Sequence, residues 1–320
     1  MQLHDMLIVL NKDEDTLSIV DTHAQEVVKT VATSHNPHEI VVSACGKKSY
    51  IACSLGNVVD VLDHTSLEIV KHITHPRFDF PHGLGLSGSG HVYLASTYSG
   101  VVFEIDPITD DVISHFATHQ KHSHMIAFHP DGRRYYVPNI GGNSVTYISD
   151  CTLVKADEDA HELEHIPVGR GPEGVAVHPD GKTVYIANQD DDDLWILDTQ
   201  THQQLYRRRL GRCPIRVVFS PDGKYALIPN RESGDLSILS TQYALNGTTK
   251  PWEIKRIPIG CWPGGTVFSP DGLWAYVANN KTNDLSVIDM TTLKEVKRID
   301  VGIHPDGIAY MQASPRQTEL

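Results

Sequence analysis

Short apolar runs separated by Gly, Pro, Asn and Asp make up most of this chain. Val175-Ala176-Val177 leads into Pro179-Asp180-Gly181, Val184-Tyr185-Ile186-Ala187 ends at Asn188, and Leu194-Trp195-Ile196-Leu197 ends at Asp198. Runs of this length, rich in Val, Ile and Tyr and bounded by turn residues, predict β-strands. Pro-Asp-Gly fits a tight turn between the first two strands, because Pro presets φ and Gly tolerates positive φ. A fourth segment of the type Glu295-Val296-Lys297-Arg298-Ile299 alternates polar and apolar residues, which predicts a strand with one solvated face.

The same phrase recurs along the chain. With the residue that follows the turn Pro, or its equivalent, as a marker, it falls at His38, His82, His124, Glu173, Ile215, Gly264 and Asp306, with spacings of 44, 42, 49, 42, 49 and 42 residues. A period of about 40–50 residues holding four short strands, here A to D, predicts the blades of a β-propeller. The two long intervals hold insertions near Asp157–Glu164 and Tyr243–Pro251. The seventh marker opens a strand A at Gly307 to Met311, and its missing strands B, C and D lie at the other end of the sequence, at Leu7–Asn11, Leu17–Asp21 and Glu26–Val31. The reading is an all-β, seven-bladed propeller with four-stranded blades, one domain over residues 1–320. The last blade is closed by three N-terminal strands and one C-terminal strand, which removes an open sheet edge.

Composition narrows the partners. With 21% charged and 40% hydrophobic residues the chain is globular, and its net charge of −13 argues against nucleic acid and anionic membrane surfaces. No apolar window is long enough to span a bilayer. No basic stretch followed by an apolar one opens the sequence, so the chain reads as cytoplasmic as given, or periplasmic or secreted if a leader has been trimmed. Five Cys without a C-x-x-C pattern form neither a disulfide framework nor a thiolate zinc site, and Cys213 and Cys261 are expected to be buried, inert thiols. Asp190-Asp191-Asp192-Asp193 is expected to be a solvated acidic loop, and Trp262 to pack in the core. The outlier is histidine, at 19 residues.

The endings Tyr185-Ile186-Ala187-Asn188, Tyr276-Val277-Ala278-Asn279 and Tyr136-Val137-Pro138-Asn139 resemble the signature of the YVTN-repeat propellers. That group is similar to the lactonase-type seven-bladed propellers and to the propeller domain of haem-containing nitrite reductases. The resemblance covers nearly the whole chain and implies the fold. It does not assign a chemistry, because the group includes enzymes, cofactor carriers and surface proteins.

Rotational pseudo-symmetry places the markers in a ring at one mouth of the channel. Three consecutive blades there present His38, His82 and His124, and the fourth presents Glu173. Three imidazoles and a carboxylate form a ligand set for one divalent transition metal, with iron or copper favoured and zinc or manganese as alternatives. Glu173 is read as ligand or base, and His122 and His304, two residues before their markers, as acid/base candidates. Lys12, Arg231 and Arg212 lie on the opposite arc and predict a small anionic substrate. Three functions follow from this pattern. The first is an Fe- or Cu-dependent oxidoreductase or oxygenase. The second is a redox-neutral, lactonase-like hydrolase or lyase, and the third a non-catalytic propeller that binds a cofactor or partner.

Overall fold

The computed structural model describes residues 5–151, 163–245 and 248–313. They form seven four-stranded antiparallel sheets. Blade 4 shows the pattern, with strands A to D at Pro172–Val177, Thr183–Asn188, Asp193–Asp198 and Gln204–Arg209. Strand A lies innermost in each blade. In blades 3 and 5 it shrinks to Ala127–Phe128 and Val218–Phe219. In blade 5 strands C and D lengthen to Asp235–Leu245 and Thr248–Pro258, and the predicted Tyr243–Pro251 insertion falls in this hairpin. Most of the Asp157–Glu164 insertion lies outside the described residues. No helix among the described residues is long and apolar enough to cross a membrane.

The closure runs as the strand count predicts. Pro305–Met311 pairs antiparallel with Met6–Asn11, in the register Met6 to Met311 and Ile8 to Ala309. The core lies between blades. At the closing junction Tyr276, Ala278, Leu285 and Val287 of blade 6 pack on Leu7, Val9, Val20 and Ile308 of blade 7.

The Asn that ends strand B has a structural task. Asn11, Asn139, Asn230 and Asn279 each donate through Nδ2 to side-chain oxygens five and seven residues on, at 2.6 to 3.1 Å. Each ties strand B to strand C across their shared turn. Replacing a buried Asn leaves its acceptors unpaired, so Asn279→Ala is expected to lower stability by about 1–3 kcal/mol. The check is a lower denaturant midpoint at an unchanged m-value. Two histidines are also structural. His129 Nε2 meets the Gly181 carbonyl and His178 Nε2 the Gly223 carbonyl, each at 2.9 Å. Each links one blade to the Pro-Asp-Gly turn of the next.

Candidate active site at the channel mouth

Irregularities at the start of strand A aim the marker side chains. Pro37 pairs with Cys53 and Glu39 with Ala52, so His38 is left opposite nothing. Similar register shifts bracket His82, Glu173, Gly264 and Asp306. A bulge of this kind bends the strand and redirects the unpaired side chain. Two residues before each marker the backbone is left-handed in all seven blades, at Asn36, Phe80, His122, Gly171, Cys213, Trp262 and His304, with φ between 54° and 61°. Only one of these is Gly. Bulky residues such as Phe80 and Trp262 rarely adopt this conformation, and such strain concentrates at functional sites. The residue after the marker is Gly in four blades because the next blade presses on it. A Cβ on Gly83 would lie 2.4 Å from the His124 carbonyl oxygen and from the Met125 Cα.

All seven marker residues line one cavity of about 320 Å³, together with Lys12, Thr97, Ile140, Gln189, Arg231 and Asn280 from the loops between strands B and C. Phe80, His122 and Trp262 from the left-handed positions, and Tyr98 and Arg216, complete the wall. The seventh loop residue, Ser54, is buried and donates instead to the Pro81 carbonyl. Arg212 and His304 do not line the cavity. Arg212 is exposed and donates to the Glu232 carbonyl, and His304 pairs with Asp13. Arg216 takes the inward position instead. Trp262 is not core but 43% exposed at the mouth, with the Lys281 ammonium 4.2 Å from its ring centre. Cys261 is exposed and Cys213 only half-buried, so neither is the buried thiol expected, although partial burial pushes the Cys213 thiol up to about 12. The acidic loop is built in rather than merely solvated. Asp191 pairs with Arg170, Asp193 with Arg207, and Asp192 accepts the Cys213 N–H.

The three ring histidines are neighbours. His38 and His82 have ring centres 4.7 Å apart, and His82 and His124 are stacked 3.7 Å apart at 26°. Imidazoles that share an ion fan out from it, whereas these two lie face to face. Among the described residues no group of three or more His, Cys, Asp and Glu is arranged to hold a metal ion. The sequence expectation of a convergent shell therefore differs from the observed arrangement, which is a stack.

The tautomer of His38 is set by its neighbour. Asn36 donates through Nδ2 to the Lys12 carbonyl and to Asp13, which turns its Oδ1 toward His38 Nδ1 at 3.0 Å. Nδ1 therefore carries the proton, and Nε2 offers a lone pair, 3.5 Å from Asp306. His124 Nδ1 is held by Thr97 at 3.1 Å. His82 Nδ1 and Glu173 Oε2 are buried without a hydrogen-bond partner.

A charged layer adjoins the ring. Arg216 donates to Glu173 at 2.8 Å and to Glu39 of blade 1, so it ties blades 4, 5 and 1 together across the channel. Arg231 lies 3.5 Å from Glu173, and Lys12 lies 3.3 Å from Asp306. Sequence reasoning missed Glu39. The signal was available, because Glu39 and Arg216 are the two charges at a position that is otherwise Gly in four blades.

Burial holds His38 down to about 4, and it holds His82 and His124 well below the ordinary imidazole value. Neighbouring imidazoles add to this for His82, and the Arg216 guanidinium for His124. All three are neutral at neutral pH. Burial pushes Glu39 up to about 7 against the pull of Arg216. Burial alone would also raise Asp306, but His38, Lys12, Arg216 and Arg231 hold it at about 2.

The depressed imidazoles link stability to pH. Between about 4 and the ordinary value of 6.5 the unfolded chain binds protons that folded His38 does not. Stability is then complete above 6.5 and falls as the pH drops, by up to about 1.4 kcal/mol per pH unit per group. Glu39, with its raised value, contributes in the opposite sense between 4.5 and about 7. Three groups outweigh one, so the chelator-treated protein is expected to lose stability from pH 6.5 to 4.5. The loss should be shallower in His38→Gln, as read from urea midpoints at each pH.

Seven blades and a cavity at one channel mouth lined by imidazoles, carboxylates, cations and aromatic rings define the class, a seven-bladed propeller with its site on the ring of strand-A starts. The chain belongs to the lactonase family of seven-bladed β-propellers, whose model matches residues 114–294. Three solved structures share the fold. The hydrazine synthase of Kuenenia stuttgartiensis matches with a TM-score of 0.78 at 21% identity, over 90% of this chain and 93% of that one. A putative 6-phosphogluconolactonase of Bacteroides uniformis matches with 0.78 at 16% identity, over 96% and 100%. The periplasmic gluconolactonase of Pseudomonas aeruginosa matches with 0.76 at 18% identity, over 97% and 99%. The comparison with curated proteins returned no match.

Proposed function

We propose that the chain hydrolyses a small anionic lactone or ester in the cavity at the channel mouth. The observation that carries this reading is the juxtaposition of a fixed imidazole lone pair, His38 Nε2, with the cations Arg231 and Lys12 in one open cavity. Family membership supports it, and so do the gluconolactonase names among the structural neighbours.

Arg231 and Lys12 anchor the substrate anion. Water adds to the acyl carbon as His38 Nε2 takes its proton, the acyl C–O bond breaks, and the leaving alkoxide takes the proton back. The product is a hydroxy acid from a lactone, or an acid and an alcohol from an ester. With a folded value near 4, His38 is always available as an acceptor but is a weak base. Positioning and the cations must therefore supply much of the rate.

The test is pH-stat hydrolysis of a panel of lactones. Arg231→Ala is expected to raise KM at least about tenfold with little change in kcat. His38→Gln is expected to lower kcat by about 10²-fold or more with KM nearly unchanged. Unaltered kinetics in both variants would refute the assignment.

A second reading keeps a divalent metal, iron, copper, zinc or manganese, at His38, His82, His124 and Glu173. Two buried donors without partners, His82 Nδ1 and Glu173 Oε2, favour it, and so does the Asn36 contact that orients His38. It requires the His82 ring to turn out of its stack. A bound ion would polarise the acyl carbonyl, or for iron or copper supply redox chemistry. Elemental analysis of purified protein and of His82→Ala decides it. Stoichiometric metal that is lost in the variant supports this reading, and metal-free active protein removes it.

A further inference from the structure

The cavity has two unlike halves. One is walled by rings. Phe80 and Tyr98 have ring centres 4.9 Å apart, Phe80 lies 5.7 Å from His38, and Phe80 and His82 are within 10° of parallel. His122 meets the Tyr98 ring edge-on at 5.5 Å. Phe80 is held there at φ 58°, a conformation a bulky residue rarely adopts. The other half carries the cations Arg231 and Lys12, with a single ring, Trp262, centred 5.8 Å from the Arg231 guanidinium.

The polar side chains available for hydroxyl groups are mostly engaged within the protein. Thr97 Oγ1 bonds His124, Asn280 Nδ2 donates to the Pro305 carbonyl, Asp306 faces Lys12, and Glu173 Oε1 accepts from Arg216. Glu173 Oε2 and His82 Nδ1 remain without a partner and His38 Nε2 offers a lone pair, which is fewer groups than the donors and acceptors of a polyol need. A polyhydroxylated chain would lose its hydration and find few replacements. A flat ring loses little and gains contact with other rings in offset or edge-to-face geometry.

We infer that the ligand is a small carboxylate bearing an aromatic ring that packs on Phe80 and Tyr98 while the carboxylate meets Arg231 and Lys12. This rests on the reading that the cations hold an anion. Phe80 and Tyr98 are then specificity-determining residues.

The experiment is calorimetric titration of the full chain with benzoate, cyclohexanecarboxylate and gluconate. Benzoate is expected to bind about three- to tenfold more tightly than cyclohexanecarboxylate, the range that ring–ring contacts give. Gluconate is expected to bind more weakly than both. Phe80→Leu, or the more exposed Tyr98→Leu if the first fails to fold, should abolish the preference and keep carboxylate binding. Arg231→Gln should weaken both ring acids alike, by about tenfold or more. Equal binding of the two ring acids, or tightest binding of gluconate, overturns the inference and leaves the anion anchor standing. Binding of none of the three overturns the inference together with the anchor.

Discussion

Ending the chain at His304 is expected to abolish the cooperative fold. Pro305–Met311 supplies the innermost strand of blade 7, and its loss strips the inner edge of Met6–Asn11. It also removes Ile308 from the cluster that joins blades 6 and 7. Its backbone packs on both neighbouring blades, since a Cβ on Gly265 would lie 2.0 Å from the Asp306 carbonyl oxygen and one on Gly307 would lie 2.6 Å from that of His38. Opening the ring thus breaks two blade contacts and exposes a strand edge, a loss comparable with the about 5–15 kcal/mol by which folded domains are stable. The truncated chain should be insoluble or lack a cooperative melt. A soluble product that melts within a few degrees of the full chain would show that the ring is held shut by something else.

The second large effect is expected from Arg216→Met. Arg216 is 6% exposed and faces two carboxylates, Glu39 and Glu173. Removing one partner of a buried ion pair typically costs about 3–5 kcal/mol, because the other charge is left unpaired. Glu39, already raised to about 7 by burial against the pull of Arg216, should then titrate higher still. A raised folded value contributes stability below the unfolded one and loses it as pH rises, so the variant should be least stable at pH 8 and partly restored at pH 5. Glu39→Gln combined with Arg216→Met should recover part of the loss at pH 8. A pH-independent deficit in unfolding midpoints would mean that packing, not charge, is what Arg216 supplies.

The two effects differ in how far the sequence foretells them. Closure is legible because a repeat that stops after one strand must find its other three, and Leu7–Asn11, Leu17–Asp21 and Glu26–Val31 are the right strands in the right order. Convergence of the ring is legible for a similar reason. Equivalent positions under rotational symmetry must face one axis, and all seven markers line one cavity.

Orientation at that axis is not legible. Whether His82 fans toward a shared point or stacks on His124 depends on how the strand-A bulge turns each Cα–Cβ bond, and residue type alone does not set that. Charge pairing is half legible. Glu39 and Arg216 lie 177 positions apart, and their pairing shows only once both are seen to break a Gly pattern. Arg212 and Arg216 look equivalent in sequence, but the backbone turns one out to the Glu232 carbonyl and the other into the channel. The acidic loop fails for a related reason, because Arg170, in the turn before Pro172–Val177, and Arg207, within the strand Gln204–Arg209, are partners of Asp191 and Asp193 that no local pattern pairs with it.

The most direct test of the account is a crystal structure of the protein with the hydroxy acid formed from a lactone it hydrolyses. The expected result is product at the channel mouth, with the anionic group it carried as substrate on Arg231 and Lys12 and its newly formed hydroxyl and carboxylate within reach of His38 Nε2. Product bound at the opposite face, or at the mouth with that anionic group turned away from both cations, would contradict it.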